Sequence, residues 1–85
     1  MTFSKLYFTI TDMELGNKIK ELRAKNNITQ EKLAKKTDVS RQTIISIEGG
    51  QYTPSALLAL RIANIFKLQF EDVFYIVNKK ENNER

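Results

Sequence analysis

The sequence contains neither cysteine nor histidine. Without cysteine, disulfide bonds, cysteine-ligated zinc and thiol catalysis are excluded. Without histidine, the commonest general base and the commonest metal ligand are also missing. A catalytic site would need carboxylates, lysines, tyrosines and hydroxyls alone, and no spacing in the chain resembles a catalytic dyad or a metal site. We therefore expect no enzyme, no metal and no cofactor.

Long apolar runs are also lacking. No run approaches the roughly 20 residues that span a bilayer. Segment 1–11 has one lysine and no small-residue cleavage site, so it is a poor signal peptide. We expect a cytoplasmic protein with no membrane partner, and 85 residues suffice for one domain.

Positive charge is concentrated in one half of the chain. Residues 18–41 contain eight basic and three acidic residues, a net charge of +5, whereas the last fifteen residues carry −1. Such asymmetry is expected where one half of a protein meets a phosphate backbone. The alternative is a solvated lysine-rich face.

Apolar spacing and capping residues predict the first two helices. Leu15, Ile19 and Leu22 form one stripe of an amphipathic helix that ends near residues 26–27. Thr29 is placed as the N-cap of a second helix over residues 30–36. Residues 37–38 are predicted to form the turn that follows.

The capping pattern then repeats twice. Ser40 predicts a third helix that continues to Glu48 and ends at Gly49 and Gly50. The second and third helices are both short and capped, and the turn at residues 37–38 joins them, so together they are predicted to form a helix-turn-helix. Ser55 predicts a central helix reaching about Phe66, with one further helical turn at 70–74. Segments 5–11 and 74–77 have the composition of strands.

The third helix has two chemically different sides. Ile44 and Ile47 are expected to point inward, toward the preceding helix. The outward set is Arg41, Gln42, Thr43 and Ser46. Arginine and glutamine make bidentate hydrogen bonds to guanine and adenine in the major groove, and threonine can contact a thymine edge. The alternative is an ordinary polar helix surface.

Two further positions have specific predicted roles. Gln30 opens the second helix, where N–H groups and a side-chain amide can hold a phosphate, although glutamine is also simply a good helix former. Glu48 places a carboxylate at the negative end of a helix dipole, which is unfavourable unless a cation compensates. Arg23 on the first helix is the candidate, in a structural ion pair.

Several segments resemble the Cro/CI-type helix-turn-helix family, also called the XRE family. They are KELR at 20–23, ITQEKLA at 28–34, VSRQTI at 39–44, IEGG at 47–50 and YTPS at 52–55. The similarity extends from residue 17 to residue 74, about two-thirds of the chain, in order and nearly without gaps. Three positions depart from the family pattern, because Asp38 replaces a common glycine, Thr37 an apolar residue and Ile45 a common polar residue.

This resemblance implies an all-α, five-helix, lambda-repressor-like domain that binds double-stranded operator DNA as a homodimer. It implies the same Arg23–Glu48 pair. The base contacts it implies are Arg41, Gln42, Thr43 and Ser46. The phosphate contacts expected on this basis are Gln30, Ser40, Gln51, Tyr52 and Thr53.

The ends of the chain complete the predicted organisation. We expect an N-terminal extension over 1–12, the helix-turn-helix domain over 13–74, and a C-terminal strand and polar tail over 75–85. Some small family members pair an N-terminal with a C-terminal strand in a sheet that joins two protomers. Segments 5–11 and 74–79 are the candidates for that pair.

The resemblance implies a sequence-specific transcriptional regulator, with repression of a palindromic operator as the first expectation. The alternative is the antitoxin of a toxin–antitoxin pair, which binds and neutralises a protein partner and autoregulates its operon. A neighbouring toxin gene would discriminate between these two functions.

Overall fold

The structure is a computed structural model that describes residues 12–78. Five helices lie between two short strands. In chain order the elements are β1 (Met13–Asn17), α1 (Ile19–Asn26), α2 (Gln30–Thr37), α3 (Arg41–Glu48), α4 (Ala56–Ile65), α5 (Phe70–Val73) and β2 (Phe74–Asn78). The five-helix prediction is confirmed. The all-α prediction is only partly right, because the two strands form a sheet.

The sheet is antiparallel, with Met13 opposite Asn78 and Asn17 opposite Phe74. The partner of the C-terminal strand is therefore β1, and the predicted strand over 5–11 lies outside the described residues. Gly16 sits beneath the ring of Tyr75, since a Cβ at Gly16 would lie 2.3 Å from the Tyr75 Cε1 atom. The close cross-strand approach of this ring explains why the strand has no side chain at that position.

The prediction that Leu15 begins the first helix is wrong. Leu15 lies in β1, and α1 starts only at Ile19. Asn17 marks this boundary, because its Oδ1 accepts a hydrogen bond from the backbone N–H of Ile19 at 3.0 Å. Leu15 still packs against the same core as Ile19 and Leu22. The apolar spacing therefore reports contact with one core, although two different elements provide it.

The predicted N-caps are confirmed at Thr29, Ser40 and Ser55. Each side-chain oxygen accepts from the backbone N–H three residues later, at 3.0, 3.1 and 3.1 Å respectively. A cap of this kind contributes about 1 kcal/mol, because it satisfies an N–H that has no partner within the helix. The starts of α2, α3 and α4 are therefore encoded locally.

The turn after α2 shows how two of the departures from the family pattern, Asp38 and Thr37, are accommodated. Asp38 takes up the left-handed conformation, with φ of 64°, that glycine adopts most readily. Thr37 is buried, and its hydroxyl donates to the carbonyl of Leu33 at 2.8 Å. The hydroxyl therefore enters the core with its hydrogen bond satisfied.

The core lies where α4 meets the surrounding helices. Its buried side chains are Ile19, Leu33, Ala34, Ile44, Ile47, Leu58, Ala59, Ile62, Ala63, Phe66, Val73 and Phe74. Helix α4 supplies four of them, as expected for the central helix. Burial of one leucine or isoleucine side chain contributes about 1.5–3 kcal/mol. Ile44 and Ile47, the inward-facing residues of α3, are part of this core.

Candidate nucleic-acid interface

Helices α2 and α3 form the helix-turn-helix. Leu33 and Ala34 of α2 and Ile44 and Ile47 of α3 are all buried in the common core. The turn between the helices is closed by a hydrogen bond from the Val39 N–H to the Ala34 carbonyl, at 3.0 Å. The inner face of α3 is thereby fixed against α2, and its opposite face is left toward solvent.

The four predicted base-contact residues divide by exposure and by bonding. Arg41 and Gln42 are exposed in the first turn of α3, and Thr43 and Ser46 are half-buried. The Gln42 amide lies 3.3 Å from the Ser46 hydroxyl, which places these two side chains on one face. Thr43 instead turns its hydroxyl to that of Ser40, at 2.9 Å. Arg41 and Gln42 are therefore the most accessible groups of the set.

The start of α2 forms a second part of the surface. A shallow pocket here is lined by Arg23, Thr29, Gln30, Glu31 and Arg41. The pocket brings the predicted phosphate contact Gln30 and the predicted base contact Arg41 together. Ser40, also a predicted phosphate contact, already uses its hydroxyl oxygen to cap α3.

The loop after α3 carries the remaining phosphate candidates. Gln51, Tyr52 and Thr53 are all exposed. The backbone N–H groups of Gln51 and Tyr52 donate to the Ser46 carbonyl at 2.9 and 3.2 Å, so the loop closes back over the end of α3. Gly50 permits this path, since its φ is 83°.

Arg23 and Glu48 form a salt bridge between α1 and α3. The Arg23 Nε lies 2.5 Å from Glu48 Oε2, and Nη2 donates to Oε1 at 3.1 Å. A third nitrogen, Nη1, donates to the Ile28 carbonyl at 3.1 Å. The side chains are only 15% and 9% exposed. Because α3 has no basic residue in its own last turn, Arg23 supplies the compensating positive charge.

Two contacts at this site were not found from the sequence. The Asn17 Nδ2 donates to the Ile47 carbonyl at 3.0 Å, which joins β1 to the end of α3. The Gln30 Nε2 donates to Glu48 Oε1 at 3.2 Å. Both contacts connect positions far apart in the chain, and the sequence carries no periodic or local signal for either.

Residues 12–78 contain no cluster of acidic side chains with the arrangement of a metal site. Within the same described range, no helix is long and apolar enough to cross a membrane.

The comparisons with known proteins agree with this geometry. A sequence model of the helix-turn-helix family matches residues 19–73. An HTH-type transcriptional regulator of Methanocaldococcus jannaschii is 59% identical over 60 residues, which cover 71% of this chain and 91% of the relative. The HTH-type transcriptional regulator YgzD of Bacillus subtilis is 52% identical over 62 residues, covering 73% and 94%.

Solved structures share the fold. The restriction-modification controller protein C.AhdI of Aeromonas hydrophila superimposes with a TM-score of 0.60 at 26% identity, over 64% of this chain and 82% of that protein. The clp gene regulator ClgR of Corynebacterium glutamicum gives 0.61 at 22% identity, over 64% of this chain but only 57% of ClgR. The chain belongs to the XRE-type helix-turn-helix family.

The salt bridge leads to a stability prediction. We expect Glu48→Ala to destabilise the fold by about 3 kcal/mol, because it leaves the Arg23 guanidinium partly buried without its counter-charge. For a domain of this size the melting temperature should fall by roughly 10 °C or more, measured by thermal denaturation followed by circular dichroism.

Two comparisons control this experiment. Glu21→Ala changes an exposed carboxylate of α1 and should have an effect of at most about 0.5 kcal/mol. The double variant Arg23→Met/Glu48→Leu leaves no unpaired charge, so it should be more stable than Glu48→Ala. An unchanged melting temperature for Glu48→Ala would mean that the pair does not stabilise the fold.

Proposed function

We propose that this protein is a sequence-specific DNA-binding transcriptional regulator that reads duplex DNA with α3. One observation carries the proposal: Arg41 and Gln42 are exposed at the N-terminal turn of a helix whose inner face, Ile44 and Ile47, is locked into the core. Regulators of this architecture read base edges with this part of the second helix of the motif. The regulator names of the similar proteins support the same function.

The chemistry of the exposed turn supports readout in the major groove. Arginine can donate two hydrogen bonds to guanine, and glutamine can both donate to and accept from adenine. Gln30, Ser40 and the loop over residues 51–53 are the proposed contacts to phosphates, which would fix the position and angle of α3 on the duplex. The basic residues of segment 18–41 would add attraction that is independent of sequence.

A dimer follows from the small footprint of α3. One recognition helix reads only a few base pairs, so two helices about 34 Å apart would read a palindrome with half-sites one helical turn apart. The sheet formed by β1 and β2 is the proposed contact between protomers. Met13, Tyr75 and Ile76 are 40%, 46% and 59% exposed there, although all three are large apolar residues.

Repression is the proposed regulatory direction, because a protein that occupies an operator can exclude polymerase without any further contact surface. The antitoxin function remains the second candidate. It would require a protein partner, and the same exposed apolar residues of the sheet would be available to such a partner.

Selection of bound sequences from random duplex DNA, at near-physiological salt, tests operator recognition. We expect a palindrome whose half-sites are centred one helical turn apart. If a folded protein enriches no sequence at all, the regulator proposal fails and the protein-partner function takes its place.

Substitutions in the exposed turn test direct readout. Arg41→Ala and Gln42→Ala should each lower affinity for the selected operator by roughly 10-fold or more, since each removes a bidentate base contact. Binding to random duplex should fall much less and stay salt-sensitive, because the phosphate contacts remain. Fluorescence anisotropy with both duplexes measures the two effects. Equal losses on both duplexes would argue against base readout.

The dimer surface is tested best by a point substitution. Deleting residues 74–85 would also remove Phe74 from the core, so a truncated chain could lose its fold along with its dimer. We expect Ile76→Lys to give a folded monomer in sedimentation analysis, because it places a charge on the proposed apolar contact. Leu57→Lys is the matched control, since Leu57 is equally exposed at 59% but lies on α4. If the Ile76→Lys variant is still a dimer, the contact between protomers lies elsewhere.

A further inference from the structure

The side-chain amide of Gln30 is held by the same carboxylate that pairs with Arg23. Glu48 Oε1 accepts hydrogen bonds from Gln30 Nε2 at 3.2 Å and from Arg23 Nη2 at 3.1 Å. Glu48 Oε2 accepts a hydrogen bond from Arg23 Nε. Gln30 also lines the open pocket at the start of α2. Arg23 and Glu48, at one end of this hydrogen-bond network, are therefore largely buried. Gln30, at the other end, reaches the surface proposed to meet DNA.

The acceptor chemistry of Glu48 fixes which way the amide is turned. A carboxylate only accepts hydrogen bonds, so the NH₂ group of Gln30, rather than its oxygen, must face Glu48. The same nitrogen carries a second N–H. A phosphate oxygen is also only an acceptor, and it therefore needs an N–H from the amide and would be repelled by the amide oxygen. An amide oriented by Glu48 is therefore already turned so that its NH₂ group can donate to a phosphate before DNA binds.

The charge of Arg23 removes an objection to this arrangement. A phosphate that approached an unpaired Glu48 carboxylate would be repelled. Two guanidinium nitrogens of Arg23 neutralise that carboxylate. The phosphate would then meet a dipole, the Gln30 amide, with a neutral ion pair behind it.

We propose that Glu48 is a positioning residue for phosphate binding, acting through the Gln30 amide. This proposal rests on the DNA-binding function proposed above. Removal of Glu48 should therefore weaken DNA binding as well as stability, and it should do so only as long as Gln30 is present. A purely structural ion pair would affect stability alone.

A double-mutant cycle in DNA affinity tests this coupling. The variants are Gln30→Ala, Glu48→Asp and the double variant, with Glu21→Asp as the matched control on an exposed face of α1. Aspartate keeps the charge but withdraws the carboxylate by one methylene, which should break the contact with Gln30. The probe is a short duplex of random sequence at low salt, because a phosphate contact does not depend on base sequence. All affinities are measured well below each variant's melting temperature.

We expect each single variant to bind roughly 10-fold more weakly or worse, the effect of one charge-assisted hydrogen bond. The double variant should bind no more weakly than Gln30→Ala. Losses that multiply in the double variant would overturn the coupling. A Glu48→Asp variant that melts earlier but binds with unchanged affinity would also overturn it, since that result describes a structural pair only.

A measurement on the unaltered protein covers the case in which Glu48→Asp fails to fold. In ¹⁵N spectra, the Gln30 side-chain NH₂ signals, assigned with Gln30→Ala, should be dispersed in the free protein and shift further with DNA. Averaged, random-coil signals would mean that Glu48 does not hold the amide. The DNA function itself is judged separately by the selected palindrome, so a failure here would leave base readout by Arg41 and Gln42 in place.

Discussion

The ion pair between Arg23 and Glu48 is the constraint on which the geometry of α3, the helix proposed to read DNA, depends. Its carboxylate lies at the end of α3, where the helix dipole is already negative, and the last turn of α3 has no basic residue to compensate it. The guanidinium comes from α1 and also holds the Ile28 carbonyl, one residue before the cap of α2. One side chain thus ties together α1, the start of α2 and the end of α3.

This constraint matters because α3 is too short to be stable alone. Isolated helices below about 12–15 residues are marginal in water, and α3 has eight. Its order comes from the Ser40 cap at one end, Ile44 and Ile47 along the inner face, and the Glu48 pair at the other end. A helix held at both ends and along one face presents its outer side chains at a fixed angle, which lowers the ordering cost of binding.

The sequence predicts the features that are local and misses those that join distant residues. The caps at Thr29, Ser40 and Ser55 each depend on a side chain and an N–H three residues away, so residue type and spacing identify them. The pairing of β1 with β2 joins the two ends of the described residues, and the local sequence of neither strand identifies its partner. The Arg23–Glu48 contact was expected for two reasons: the dipole argument required a cation near Glu48, and the family resemblance implies the same pair.

The error at Leu15 has the same physical origin. Residues at positions i, i+4 and i+7 form a helical stripe only if the backbone between them is helical throughout. Here α1 does not extend back to Leu15, because Asn17 still belongs to β1 and its side chain bonds both the start of α1 and the Ile47 carbonyl of α3. A polar residue inside an apolar stripe can therefore mark a boundary between two elements that share one core.

The residues that hold α3 and those proposed to read DNA are largely separate. Arg41 and Gln42 are exposed and support no part of the core, so substitutions there can change base preference at little cost in stability. Thr43 is different, because its N–H and hydroxyl both bond the Ser40 cap. For the proposed readout, base preference is therefore freer to diverge at positions 41 and 42 than at 43, since a change at position 43 also removes the hydroxyl contact with the Ser40 cap.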